Sequence, residues 1–381
     1  MKESTAAQQP WTPVAYQDAS TDCYLGSPSL LRLADGRLLA THDYFGPGAP
    51  LNHEGEEFLT TVYRSEDGGA HWSRITHLAG AFWSGLFSHG GAVYLLGVSA
   101  HYGSIVIRRS DDGGSTWTRP LDADTGLLFA GGPGRQPPNY HCAPVPVLWA
   151  GGRLYRAFED CTPCEWGTGF QALVISASED ADLLRAESWT MSSPLPFRRE
   201  WLPERWREMP RPGWLEGNAV QAPDGTLWNI LRFNSAPWVD VAAMVRIADE
   251  GRALRFDPEA GYVTLPGGMT KFTIRRDPQT GLYLTLSNNN TDPTCPTQRN
   301  VLSLHASEDL RHWRHVRTLL EDDSGLPWED SLQRTGFQYV DWQFDGEDLI
   351  YLVRTAYRGA HSYHDANRIT FHRLPGYRGL L

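Results

Sequence analysis

One eight-residue turn occurs twice, 45 residues apart: Ser65-Glu66-Asp67-Gly68-Gly69-Ala70-His71-Trp72 and Ser110-Asp111-Asp112-Gly113-Gly114-Ser115-Thr116-Trp117. Both fit Ser-x-Asp-x-Gly-x-x-Trp, and each follows a short β-rich run, residues 60–64 and 104–109. The pattern is that of a hairpin corner. An Asp side chain bonds backbone N–H groups of its own turn, Gly supplies positive φ, and Trp folds back as an apolar plug. A turn module repeated at this interval constrains the chain to radially repeated antiparallel sheets.

A second, longer repeat agrees. Two apolar or alternating runs flank a Gly-bearing turn in residues 29–43 (Asp35-Gly36), 84–99 (Gly90-Gly91), 144–158 (Gly151-Gly152), 218–233 (Asp224-Gly225), 272–287 (Asp277 to Gly281) and 339–355 (Asp345-Gly346). From Gly36 to Gly346 is 310 residues in five steps, about 62 per repeat. The expected fold is all-β: a six-bladed propeller of four-stranded antiparallel blades, with seven blades as the alternative. Residues 1–381 form one domain in this reading, and a polar tail, 1–14, closes or flanks the ring. Two degenerate turns keep the register. Ser307-Glu308-Asp309-Leu310-Arg311-His312-Trp313 is one residue short and lacks the Gly. Ser178-Glu179-Asp180 reaches Trp189 through an insertion able to form a helical turn. The longest irregular segment, 194–212, is expected to be a functional loop or lid.

The net charge of −11 and the absence of a basic run exclude a nucleic-acid binder. No apolar stretch approaches a membrane span, and no secretory signal opens the sequence, so a cytoplasmic location is expected. Five cysteines, an odd number, do not suggest a disulfide scaffold. Cys161-Thr162-Pro163-Cys164 has metal-ligand spacing, and Cys142, His141 or Cys295 would have to complete a structural zinc site. That is a weak signal, and no cofactor is expected.

In a propeller the innermost strands converge on the axis, and ligands sit at one mouth of the channel. Ionisable residues cluster where those strands begin and end. Charges buried there need partners or a ligand. His141 is the first candidate acid/base, since its ordinary pKa lies near neutrality, and Tyr339 is its partner. Glu159, Glu216 and Asp43 are candidates for the two carboxylates of glycoside hydrolysis. Arg354 suits an anionic group through its planar fork. Lys271, His42, Asn218, Asp341 and His364 complete the candidate substrate-binding set.

The repeated turn is an Asp-box, and the chain resembles the sialidase-like (BNR/Asp-box) propeller superfamily, most of whose studied members act on carbohydrates. True exo-sialidases share an Arg-Ile-Pro segment on the first inner strand. Here the matching stretch is Leu25-Gly26-Ser27-Pro28, with Gly26 where that Arg would stand, so one arm of a sialic-acid carboxylate clamp is absent. Residues 141–160, 214–233 and 338–373 resemble propellers that cleave rhamnose–glucuronate linkages, the ulvan-lyase and rhamnosidase-like branch. That resemblance implies His141, Tyr339 and Arg354 as a β-elimination set. The function expected is exo-acting cleavage of a glycosidic bond in an acidic or deoxy-sugar-containing oligo- or polysaccharide. Hydrolysis leads; a lyase, a sialidase or a non-catalytic glycan-binding propeller are the alternatives.

Overall fold

A computed structural model describes residues 11–381. Its strands form six antiparallel sheets; innermost strands of five neighbouring pairs of sheets contact one another, and a shared apolar cluster joins the sixth pair, closing a ring. The molecule is a six-bladed β-propeller, which excludes the seven-bladed alternative. Those innermost strands are Tyr24–Leu25 with Ser29–Arg32 (blade 1), Phe82–His89 (blade 2), Tyr140–His141 with Leu148–Ala150 (blade 3), Trp214–Gln221 (blade 4), Thr273–Arg276 (blade 5) and Gly336–Asp345 (blade 6). Each pairs with the second strand of its blade across one of the six Gly-bearing turns.

The N-terminal strand Thr12–Tyr16 does not join blade 1. It pairs with Arg368–Leu374 as the outermost strand of blade 6, so the two ends of the chain share one sheet. Residues 12–14 of the expected tail lie in this strand; residues 1–10 lie outside the described residues.

The repeated turns connect third to fourth strands and are built alike. In the first, the Ser65 hydroxyl donates to Asp67 Oδ1 at 2.8 Å and accepts from Gly69 N at 2.9 Å. Asp67 accepts from His71 N at 2.9 Å, and Trp72 Nε1 donates to Gly69 O at 3.2 Å. Ser110, Asp112, Gly114 and Trp117 repeat the set. The degenerate copy keeps it too: Ser307, Asp309 and Trp313 make the equivalent bonds, with Leu310 at φ 67° in place of Gly. Apolar side chains from facing sheets fill the seams between blades. Leu31, Leu39, Leu86 and Leu95 join blades 1 and 2, and Leu30, Ile350, Leu352 and Phe371 join blades 6 and 1.

Residues 194–212 are not a free lid. Leu202, Trp206 and Met209 are buried against Trp214, Leu231 and Phe233 of blade 4. Among the described residues the only α-helix is Trp328–Arg334, and no helix is long and apolar enough to cross a membrane.

Candidate active site

Three innermost strands carry a β-bulge at the same level. The register slips between Phe82 and Gly85, between Leu215 and Asn218, and between Gln338 and Asp341. Within the bulges Trp83, Glu216 and Tyr339 adopt φ of 46°, 54° and 52°. Left-handed backbone at a bulky residue costs on the order of 1–3 kcal/mol and persists only where surrounding contacts fix it. A bulge re-aims its side chain, and all three of these side chains line one cavity of about 190 Å³ at the hub. Gly26, Asp43, His101, Tyr102, His141, Trp166, Phe170, Arg354 and His364 share that cavity.

The Tyr339 hydroxyl donates to Glu216 Oε1 at 2.6 Å, and Arg232 Nη1 donates to Glu216 Oε2 at 2.9 Å. Arg232 faces Leu215 across the strand pair, so the hairpin itself delivers this ion pair. Burial alone would push the Glu216 carboxyl up, but the Arg232 charge, His141 and these hydrogen bonds hold it below its ordinary range. Burial, followed by the Glu216 charge, raises the Tyr339 phenol. The pair therefore rests as a carboxylate accepting from a neutral phenol.

Asp43 behaves oppositely. Burial pushes its carboxyl up to about 7, against a hydrogen bond from Thr60. Its Oδ2 is buried with no hydrogen-bond partner. A Cβ on Gly26 would lie 3.1 Å from Asp43 Cβ and 3.2 Å from Oδ2. Any side chain at position 26 would therefore press on Asp43, a physical reason for a glycine there.

His141 stands directly opposite Glu159 in the blade 3 ladder, and its Nδ1 lies 2.8 Å from Glu159 Oε2. Glu159 Oε1 accepts from Gly217 N at 3.0 Å. Trp83 meets the imidazole edge-on with ring centroids 4.4 Å apart, and Phe170 lies 4.8 Å away. Arg354 is buried and has no carboxylate partner among the described residues. It donates to the His364 carbonyl, and its guanidinium sits 4.5 Å from the Phe45 ring centroid and 5.0 Å from that of Tyr339. Asp341 pairs with Arg275 and Asp365 with His364 instead.

Of the expected set, His141, Tyr339, Glu216, Arg354, Asp43 and His364 meet at the cavity, with His364 exposed at its rim. Five do not line it. Glu159 is fully buried behind His141, bonded to it and to Gly217. His42 precedes Asp43 on a strand whose side chains alternate, so it points away, with Nδ1 2.9 Å from Asp43 O and Nε2 3.2 Å from the Tyr63 hydroxyl. Asn218 bonds Phe272 O and Ile274 N, stitching blade 4 to blade 5. Asp341 accepts from Ser29 Oγ and Leu30 N, stitching blade 6 to blade 1. Lys271 does not line the cavity: its Nζ donates to Thr273 Oγ1 and Val340 O, and burial lowers its amine to about 7.

The zinc alternative also fails. Cys142 Sγ donates to Trp83 O at 3.2 Å, and among the described residues no group of three His, Cys, Asp or Glu is placed to hold a metal. Sequence reasoning does not single out Trp83, Tyr102, Trp166, His101 or Arg232. The one available signal is positional: Trp83, Glu216 and Tyr339 stand seven to nine residues ahead of the hairpin glycines Gly91, Gly225 and Gly346.

No family model and no curated protein matches the chain. Solved structures do match along its whole length. The Penicillium chrysogenum α-L-arabinanase complexed with arabinobiose aligns at TM-score 0.57 and 15% identity, covering 99% of this chain and 100% of that one. An intramolecular trans-sialidase from Ruminococcus gnavus aligns at 0.57 and 13%, covering 98% and 100%. The Fusarium graminearum α-L-arabinofuranosidase, complexed with an iminosugar inhibitor, aligns at 0.56 and 13%, covering 97% and 96%. This chain therefore has the propeller fold that sialidase-like and arabinan-cleaving proteins share.

Proposed function

We propose that this propeller is an exo-acting glycoside hydrolase that removes an acidic sugar from a chain end. One observation carries the assignment. Asp43, whose carboxyl burial raises to about 7, and Glu216, held below its ordinary range, line the same cavity. Two carboxyl groups whose surroundings push their protonation apart are what acid and base roles require.

Asp43 gives its proton to the departing glycosidic oxygen. The Tyr339 oxygen attacks the anomeric carbon as its proton passes to Glu216, which Arg232 holds in place. Water, deprotonated by the Asp43 carboxylate, then cleaves the tyrosyl–sugar bond, and the proton returns from Glu216 to the phenol. Two displacements give net retention. His141, oriented by Glu159, faces the leaving group, and Glu159 acts through it rather than on the sugar. A cavity of about 190 Å³ is smaller than the roughly 300–1,000 Å³ of drug-sized ligand sites, which favours one terminal sugar. The unpaired Arg354 favours an anionic one, because a buried guanidinium is satisfied by a carboxylate. The carbohydrate-processing names of the structural relatives support a glycan substrate.

β-Elimination at a uronate is the second reading, favoured by the presence of His141, Tyr339 and Arg354 in one cavity. A panel of aryl and oligomeric glycosides separates the two. Hydrolysis yields new reducing ends without an unsaturated, ultraviolet-absorbing product, and Glu216→Gln and Tyr339→Phe each abolish turnover. An unsaturated product, or full activity in both variants, would overturn the assignment. Sialosides are expected to be poor substrates, since Gly26 supplies no guanidinium.

A further inference from the structure

We propose that Lys271 is a positioning residue for this reaction. With Thr273, it caps the Val340 carbonyl and so holds Tyr339 in the left-handed conformation that sets its hydroxyl on Glu216. The inference rests on the hydrolase assignment above and names what makes its phenol–carboxylate pair possible.

A bulge leaves its extra residue outside the ladder, and a buried carbonyl without a partner is strongly disfavoured. In blade 6 the ladder steps from Gln338, opposite Arg354, to Asp341, opposite Leu352, so Tyr339 and Val340 have no partner on the neighbouring strand. The Val340 carbonyl is met from blade 5 instead. Lys271 Nζ donates to it at 2.7 Å, the Thr273 hydroxyl donates at 2.7 Å, and the two donors are themselves 2.6 Å apart. Lys271 is 2% exposed and Thr273 fully buried, so water does not substitute for either.

The other two bulges are capped in the same manner from a neighbouring blade, by Cys142 on Trp83 O and by Glu159 on Gly217 N. Of the three, the blade 6 cap alone uses a lysine amine. The rest of that bulge is fixed at its flanks: Arg299 donates to the Gln338 side chain, and Asp341 is held by Ser29, Leu30 and Arg275. Removal of the central cap frees the Val340–Asp341 peptide, and with it the backbone that follows Tyr339, to rotate while the Gln338 and Asp341 side chains stay anchored. Tyr339, whose left-handed conformation is set against that backbone, then draws its hydroxyl away from Glu216.

The test compares Lys271→Met, which keeps length and removes the donor, with Thr273→Val, which removes one of the two donors in a near-isosteric change. Misplacing a reacting group by about 1 Å lowers rates by roughly 10²-fold, so kcat is expected to fall by about that factor in Lys271→Met and by less in Thr273→Val. KM stays within about twofold of wild type, because neither residue touches the sugar. A readout independent of turnover is the 13Cζ resonance of labelled Tyr339, assigned by its loss in Tyr339→Phe. It is expected to move toward its position in Glu216→Gln. Unchanged kcat and an unchanged resonance in Lys271→Met would overturn the proposal. If that variant does not fold, the same null result in Thr273→Val does so. Should wild type hydrolyse no glycoside, the hydrolase assignment falls, and the Tyr339 resonance alone decides the role of Lys271.

Discussion

Asp43→Asn tests the physical basis of the site most directly, because it separates burial from every other influence on stability. Burial raises the Asp43 carboxyl from 3.8 to about 7. At about 1.4 kcal/mol per tenfold change in proton affinity, that corresponds to roughly 4 kcal/mol. The sign follows from linkage. The folded state binds the proton more tightly than the unfolded state, so wild type is favoured where Asp43 is protonated. It loses that stability as pH rises from about 4 toward about 7, and nothing further is lost above. Asn cannot ionise. The unfolding free energy of Asp43→Asn relative to wild type therefore climbs by about 1.4 kcal/mol per pH decade across that window and is flat on either side. A pH-independent offset is also expected, because the Asn amide placed where Oδ2 now lacks a partner is itself unsatisfied. The slope is diagnostic and the offset is not. Urea unfolding of both proteins at half-unit pH steps measures it, and all other titrating groups cancel in the difference. A difference that does not change with pH would refute burial as the cause. Under the proposed mechanism turnover of the same variant is expected to fall by about 10²–10⁴-fold, for want of a general acid. Under that mechanism wild-type kcat/KM is expected to decline above about pH 7 as Asp43 ionises.

Three further outcomes follow. Arg354→Met should raise KM for acidic substrates by roughly 10–100-fold, the equivalent of a charged hydrogen bond, leave neutral glycosides nearly unaffected, and raise the melting temperature by removing an unpaired buried cation; equal effects on both substrate classes would show that Arg354 does not read charge. The Cys164 thiol is drawn down to about 7, chiefly by its hydrogen bond with Cys161, whereas burial pushes Cys142 up to about 12. Iodoacetamide mapped by mass spectrometry should modify exposed Cys164 first, at a rate that levels off above neutral pH, and rapid labelling of Cys142 would contradict the burial described here. Gly69→Ala should destabilise by several kcal/mol, since its Cβ would fall 2.0 Å from Phe371 Cε1 of blade 6 at a φ of 100°. Gly36→Ala, with φ 90° but open space around it, should cost only about 1–2 kcal/mol, so equal losses in thermal unfolding would deny the seam contact.

What the sequence reveals here follows the range of the forces involved. The propeller is legible because its turns are local. Ser65, Asp67, Gly69 and Trp72 build their corner from bonds spanning two to four residues, and that geometry survives even where Leu310 replaces the glycine. The site is only partly legible because each inner-strand residue has two destinations, hub cavity or blade seam, and register decides between them. His42 and Asp43 are adjacent, yet only Asp43 lines the cavity. Tyr339 and Asp341 have the same parity on one strand and would share a face in a regular ladder. The bulge between them separates them, one onto Glu216 and the other onto Ser29. Nothing local in the sequence announces that bulge, since Tyr339 is among the residues least suited to positive φ. Its cause is distant. Lys271, 68 residues earlier, meets the Val340 carbonyl from the next blade. A residue whose ordinary preference is overruled by a partner so far along the chain escapes sequence reasoning. Positions of that kind, where local preference loses to tertiary contact, are where functional groups are expected to gather. Glu216, at φ 54°, has the same history and the same cavity.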